Sequence, residues 1–208
     1  MSAPNREDLP VVLLLSLQKE SWFDEMLRDF LSTLREHARL MEGLSESVAI
    51  SYLEDGAVTA VVVTDAALVN GGFKVVSQKL VEYAKGGGTV VFGGLVSNFA
   101  RPLDMRSYFS DEWGLPWEMG SYHREDFSVN QCALSVEGRE RFSGLPSSYS
   151  MKAVQIKGAT QKDRVYVGDD RTESPIVFVK YGKGNVGWIG DVNAEDKTTS
   201  VVKVMCGI

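Results

Sequence analysis

Basic charge, cysteine, histidine and long apolar runs are all scarce in this 208-residue chain, and each shortage removes a class of function. Asp and Glu outnumber Lys and Arg by 28 to 22, for a formal charge of −6. No run of basic residues is interleaved with aromatics, so nucleic acid is not an expected partner. The two cysteines, Cys132 and Cys206, lie far apart and lack C-x-x-C spacing. Neither a disulfide framework nor a zinc site is expected from them. The two histidines, His37 and His123, are too scattered to suggest a metal site. The apolar run Val11–Leu15 is too short to span a bilayer, and it follows Glu7 and Asp8 where a signal peptide would carry positive charge. No membrane association is expected, and the expected compartment is the cytoplasm. Internal repeats and low-complexity linkers are also missing, which leaves one α/β domain over residues 1–208 as the expectation.

What is present is enough apolar residue, 44% of the chain, to bury a full core. The run "LPVVLLLSLQ" has the continuous hydrophobicity of a strand covered on both faces. Ser21 then stands where it can cap a helix whose apolar residues Trp22, Phe23, Met26, Leu27, Phe30, Leu31 and Leu34 recur at helical spacing. "SVAISYLED" reads as a second strand ending at Glu54-Asp55-Gly56, and "TAVVVTDAALV" as a third with Asp65 at its carboxyl end. A helix in "FKVVSQKLVEYAKGGG", stopped by its glycines, leads to a fourth strand, "TVVFGGLVSN". Shorter strands follow in "YSMKAVQIKG", "DRVYVG" and "SPIVFVKYGKGNVGWIGDV", and a helix in "NAEDKTTSVVKVMCGI" closes the chain. This order predicts a three-layer, open, mostly parallel sheet of flavodoxin-like type with a late antiparallel hairpin. Residues 99–130, aromatic and without sustained period, read as an insertion of short helix and loop beside the sheet ends.

Gly182 to Gly187 fits the spacing G-x-G-x-x-G of dinucleotide-binding loops. That motif works only between a strand and a helix, whereas strand-like residues flank this one on both sides, Ile176 to Val179 before it and Val186 to Ile189 after it. The glycines therefore read as a hairpin turn. Asp191, Glu195 and Asp196 crowd the start of the last helix, where they would repel a phosphate. No cofactor is expected, and NAD, NADP and FMN are expected not to bind.

Together with the order of elements, the stretches "AVVVTDAALV", "LVEYAKGGGTVVFGG" and "YGKGNVGWIGDVNAE" resemble the class I glutamine amidotransferase-like superfamily, in its branches without a glutaminase site. The resemblance extends over most of the chain outside residues 99–130. It implies a strand-to-helix elbow, written G-x-C-x-G in active members, whose geometry lowers the pKa of a cysteine. The matching stretch here is Phe92-Gly93-Gly94-Leu95-Val96-Ser97, so Gly94 or Leu95 occupies the nucleophile's place. Where the resemblance implies a histidine and a glutamate, the chain has Asp191, Asn193 and Glu195.

Ligands of open α/β sheets bind outside the carboxyl ends of strands, which selects Ser16, Gln18, Asp65, Ser97, Asn98 and Asn193 as candidate ligand-binding residues. The same residue types also cap helices and turns, so local capping is the competing reading. His123 is a candidate acid or base, to be joined by Asp65 and Asp191 if residues 99–130 fold over the strand ends. Trp113 and Trp117, with Tyr108 and Phe109, read as anchors of a subunit interface in a homo-oligomer, as an aromatic-ligand platform, or as a satellite core. Three functions compete: a non-catalytic binding or interaction module with a small-molecule ligand, a hydrolase that uses Asp65, His123 and Asp191, and, resting on α/β order alone and lacking a phosphate loop after the first strand, a flavodoxin-like nucleotide or flavin binder.

Overall fold

Within the first apolar run, alternate side chains enter opposite cores: Val11, Leu13 and Leu15 pack on one side of the sheet, Val12 and Leu14 on the other. A strand in the middle of a sheet covered on both faces has this property. The computed structural model describes residues 8–135 and 140–208; the start of the polar leader, including Glu7, lies outside them. Among the described residues the strands are β1 (Val11–Leu15), β2 (Arg39–Gly43), β3 (Val58–Val63), β4 (Thr89–Phe92), β5 (Glu118–Val129), β6 (Ser148–Lys157), β7 (Arg164–Val167), β8 (Ile176–Tyr181) and β9 (Gly184–Ile189). They form one 9-stranded sheet in the order β2-β1-β3-β4-β9-β8-β7-β5-β6. The half from β2 to β9 is parallel, and every pairing from β9 to β6 is antiparallel.

The helices are α1 (Phe23–Met26), α2 (Arg28–Arg35), α3 (Glu46–Asp55), α4 (Lys74–Gly86), α5 (Val96–Phe99), α6 (Pro102–Trp113), α7 (Gln131–Leu134) and α8 (Asp196–Cys206). Phe23 of α1, Phe30, Leu31 and Leu34 of α2, and Val201, Val202 and Met205 of α8 fill one core. Ala49 of α3, Leu80 and Ala84 of α4, and Phe109 and Trp113 of α6 fill the other. The sheet is therefore the middle of three layers. None of the described helices is long and apolar enough to cross a membrane.

Three sequence expectations are corrected. Residues 47–55, expected as a strand, lie in α3: the Ser45 hydroxyl accepts from the Val48 amide at its start, and Gly56, with φ +73°, ends it. Capping at both ends outweighs the strand preference of Val48, Ile50 and Tyr52. The real second strand, β2, is a sheet edge paired only with β1, so it needs no apolar run. The first helix breaks at Leu27, and its N-cap is Trp22 rather than Ser21. Residues 118–129 are not loop but the long strand β5, hydrogen-bonded to β6 and β7.

The late hairpin forms as expected, with β8 and β9 joined through Gly182 and Lys183. Its glycines serve packing as well as turning. Gly182 takes φ +59°, and a Cβ on Gly184 would lie 1.9 Å from the Gly88 carbonyl oxygen. The tip docks on the glycine-rich end of α4 through Lys183 N–H to Lys85 C=O and Asn185 N–H to Gly88 C=O. The spacing G-x-G-x-x-G thus records a close approach between hairpin and helix.

Candidate functional site

Chain direction reverses across the sheet between β1 and β3: the chain leaves β1 towards β2 on one side and continues from β3 to β4 on the other. Helices α1 and α2 follow β1 on one face, and α4 follows β3 on the opposite face, so the loops diverge and leave a crevice at the carboxyl ends of the strands. A cavity of about 310 Å³ opens there, lined by Gln18, Glu20, Trp22, Phe23, Asp65, Ala66, Ala67, Asn70, Leu95 and Phe99.

Local bonds fix its walls. Asp65, 8% exposed, follows β3, and its carboxylate accepts the Gln18 N–H at 2.7 Å and the Ala67 N–H at 3.0 Å. Burial pushes this carboxyl above the ordinary aspartate range, against the opposing pull of those two amides. Phe23 is buried and anchors α1, leaving its neighbour Trp22 39% exposed at the rim. Across the mouth Phe99 is 52% exposed, with its ring centroid 6.0 Å from that of Trp22 and the planes inclined at 53°. Asn70 sets the position of Phe99: its Nδ2 donates to the Phe99 carbonyl and its Oδ1 accepts the Arg101 N–H.

The elbow after β4 forms part of this wall but carries no nucleophile. Gly94 adopts φ +56°, and a Cβ there would lie 3.1 Å from the Thr64 carbonyl oxygen. Leu95, which follows it, is buried in the crevice lining.

The six expected ligand-binding residues divide into separate groups. Gln18 and Asp65 line the crevice. Ser16 is buried, and its hydroxyl is bound to that of Thr64 at 2.5 Å. Ser97 and Asn98 donate instead to the carbonyls of Asp191 and Val192, which ties the β4 end to the β9 end. Asn193 donates its N–H to Asp191 Oδ1 and its side-chain amide to Glu195. For these last four, capping and cross-linking account for the bonds they make.

Asp65, His123 and Asp191 are not assembled into one site. Asp191 is 2% exposed, and its carboxylate accepts from Asn193 N–H, Glu195 N–H and the Thr198 hydroxyl, so it ties the turn before α8 to the first turn of that helix. Burial pushes its carboxyl up, while those bonds pull it down. His123 stands on β5, half-exposed, with Nε2 2.9 Å from Glu125 Oε2. Neither His123 nor Asp191 lines the Asp65 crevice.

Trp113 and Trp117 are each 2% exposed and belong to the core, so they are not surface anchors for a subunit interface. Trp113 meets Phe92 edge-on at 5.8 Å, and Trp117 meets Phe109 at 5.1 Å. Helix α6 brings these rings onto the sheet because its side of β4 and β9 presents Phe92 and Trp188. Sequence reasoning missed Trp22, Asn70 and Phe99 as lining residues, because their meeting depends on which strand neighbours β1. Among the described residues no group of three or more His, Cys, Asp or Glu is placed to hold a metal ion.

The fold and site define a mixed α/β protein with a crevice at the reversal point of its sheet. No family model matches the chain, and no curated protein sequence matches it. Solved structures do share its fold. A β-galactosidase from Bacillus circulans sp. alkalophilus matches at TM-score 0.60 and 14% identity, covering 96% of this chain and 31% of the other. One from Halorubrum lacusprofundi matches at 0.58 and 16%, covering 97% and 31%. A putative ThuA-like protein from Parabacteroides merdae matches at 0.54 and 14%, covering 95% of this chain and 90% of the other. The chain thus spans about a third of the length of the β-galactosidases it matches. These findings replace the expected kinship with the class I glutamine amidotransferase-like superfamily: no family model of it matches, and the solved structures that share the fold include β-galactosidases and a putative ThuA-like protein.

Proposed function

We propose that this chain is a non-catalytic small-molecule-binding module and that its binding site is the crevice at the carboxyl ends of β1, β3 and β4. The observation that carries this reading is the crevice itself: a concave site of mixed polar and apolar lining, with two half-exposed rings at its rim and a buried carboxylate in its wall. The order β2-β1-β3-β4-β9 supports it, since this is the flavodoxin-like order, whose ligands sit at the β1/β3 reversal. Glycine at the elbow and the separation of His123 from Asp65 argue against a hydrolase. The recurrence of the fold as about a third of larger β-galactosidase chains supports a module that can be joined to other domains. The expected homo-oligomer loses the tryptophan anchors assigned to it.

The test is thermal unfolding of the wild type and Trp22→Ala against a panel of small amines, sugars, carboxylates and nucleotides. A ligand that binds only the folded state raises Tm by mass action. Compounds that stabilise the wild type are expected to lose that effect in the variant, and NAD, NADP and FMN are expected to stabilise neither. Stabilisation that survives Trp22→Ala unchanged would move the site elsewhere.

A further inference from the structure

We infer that the crevice selects a small organic cation, an ammonium group on an apolar body, held between the Asp65 carboxylate and the rings of Trp22 and Phe99. The inference rests on the crevice being the binding site and adds the ligand's charge.

Charge is the first argument. Among the described residues the ionisable ones that line the cavity are Glu20 and Asp65, both acids, with no lysine or arginine. Other acids of this chain have cationic partners: Asp24 and Glu42 meet Lys19, Glu54 meets Lys79, Glu173 meets Lys157 and Glu195 meets Arg124. Asp65 is more buried than any of these except Glu173, yet its carboxylate is held by two backbone amides alone. A buried negative charge without a counter-ion is costly, and a bound cation supplies one.

The rings are the second argument. Trp22 and Phe99 stand at the mouth with substantial exposure, inclined so that neither covers the other's face. Aromatic faces carry negative potential and attract cations, tryptophan most strongly. Phe23, Ala66, Ala67 and Leu95 offer an apolar lining for the ligand's body.

A neutral polyol fits less well, because beyond the Gln18 side-chain amide and the two carboxylates the lining offers it few hydrogen-bonding groups. Both polar atoms of the Asn70 amide are bound to backbone, and the Ser16 and Thr64 hydroxyls are bound to each other. An anion would face two carboxylates.

Benzylammonium, benzyl alcohol and benzoate form one skeleton in three charge states, and calorimetric titration of each into wild type, Asp65→Asn and Trp22→Leu tests the inference. Benzylammonium is expected to bind the wild type at least about tenfold more tightly than benzyl alcohol, and benzoate is expected to give no binding heat. Asp65→Asn is expected to bring benzylammonium close to the alcohol, and Trp22→Leu to weaken both. Trp22 is a rim residue, so its variant keeps the test open if Asp65→Asn does not fold. Equal or tighter binding of benzyl alcohol in the wild type would overturn the cation inference and leave the crevice as the binding site. No heat from any of the three, or heat that Trp22→Leu leaves unchanged, would overturn the binding-site reading and the inference with it.

Discussion

The end of β3 and the end of β9 are built alike and finish differently. Each places an aspartate just past the strand, Asp65 and Asp191, and each aspartate is buried and accepts two backbone amides. At the β9 end the Thr198 hydroxyl adds a third donor, Tyr149 braces Thr198, and Ser97 and Asn98 hold the neighbouring carbonyls, so that end is closed. At the β3 end no hydroxyl completes the shell, and the carboxylate forms part of the wall of an open cavity. The residue type at a strand end does not decide between capping and binding; the diverging loops at the sheet's reversal point do. The aromatic residues show the same contrast. Trp113 and Trp117 are packed away, while Trp22 and Phe99 stand at the cavity mouth.

Substitutions that treat the two ends alike should give unlike results. The largest effect is expected from Trp113→Ala, a loss of about 3–5 kcal/mol in urea unfolding that does not depend on protein concentration. A loss that tracks dissociation of an oligomer would return this tryptophan to an interface. Asp191→Ala should cost about 3 kcal/mol, since it leaves the Asn193 and Glu195 amides and the Thr198 hydroxyl without their acceptor. Asp65→Ala leaves two amides and no hydroxyl without an acceptor, and a cost of about 2 kcal/mol is expected by the same measurement. If the two aspartate variants prove equally destabilising, the comparison fails.

Titration sharpens the contrast. Both carboxyls are pushed up by burial, so each holds its proton to higher pH in the folded chain than in the unfolded one. Their contribution to stability is fully present below the ordinary aspartate pKa and is lost as pH rises through the folded value. Urea midpoints measured across the acid range should fall less with rising pH in Asp65→Asn than in the wild type; an unchanged slope would show that Asp65 titrates normally. The smallest effect on stability is expected from Trp22→Ala, within about 0.5 kcal/mol, because the ring is at the surface. A larger loss would make Trp22 a structural residue rather than a rim for a ligand.

How much of this was legible in the sequence depended on range. The hairpin at Gly182-Lys183 was readable because turn chemistry is local, and β1 because a strand covered on both faces must be apolar throughout. Strand β2 was not, because an edge strand carries no such requirement, and its place was given to residues that Ser45 and Gly56 in fact mark as a helix. Strand β5 was hidden for a similar reason: Phe127 is its one fully buried residue, so no alternation shows. Asp65 and Gln18 were found as crevice residues because strand ends can be located from local pattern. The Trp22–Phe99 pair was not, since the two residues meet only once the strand order places the loops after β1 and β4 on the same crevice.

The central claim is that the β3 end, and not the β9 end, is where this molecule meets a small ligand. Crystals soaked in a collection of small amines, alcohols and acids test it most directly. Occupancy is predicted in the crevice, between the Asp65 carboxylate and the rings of Trp22 and Phe99. Compounds found only at other recesses, such as the cavity lined by Arg35 and Arg39 at the opposite ends of β1 and β2, would contradict it.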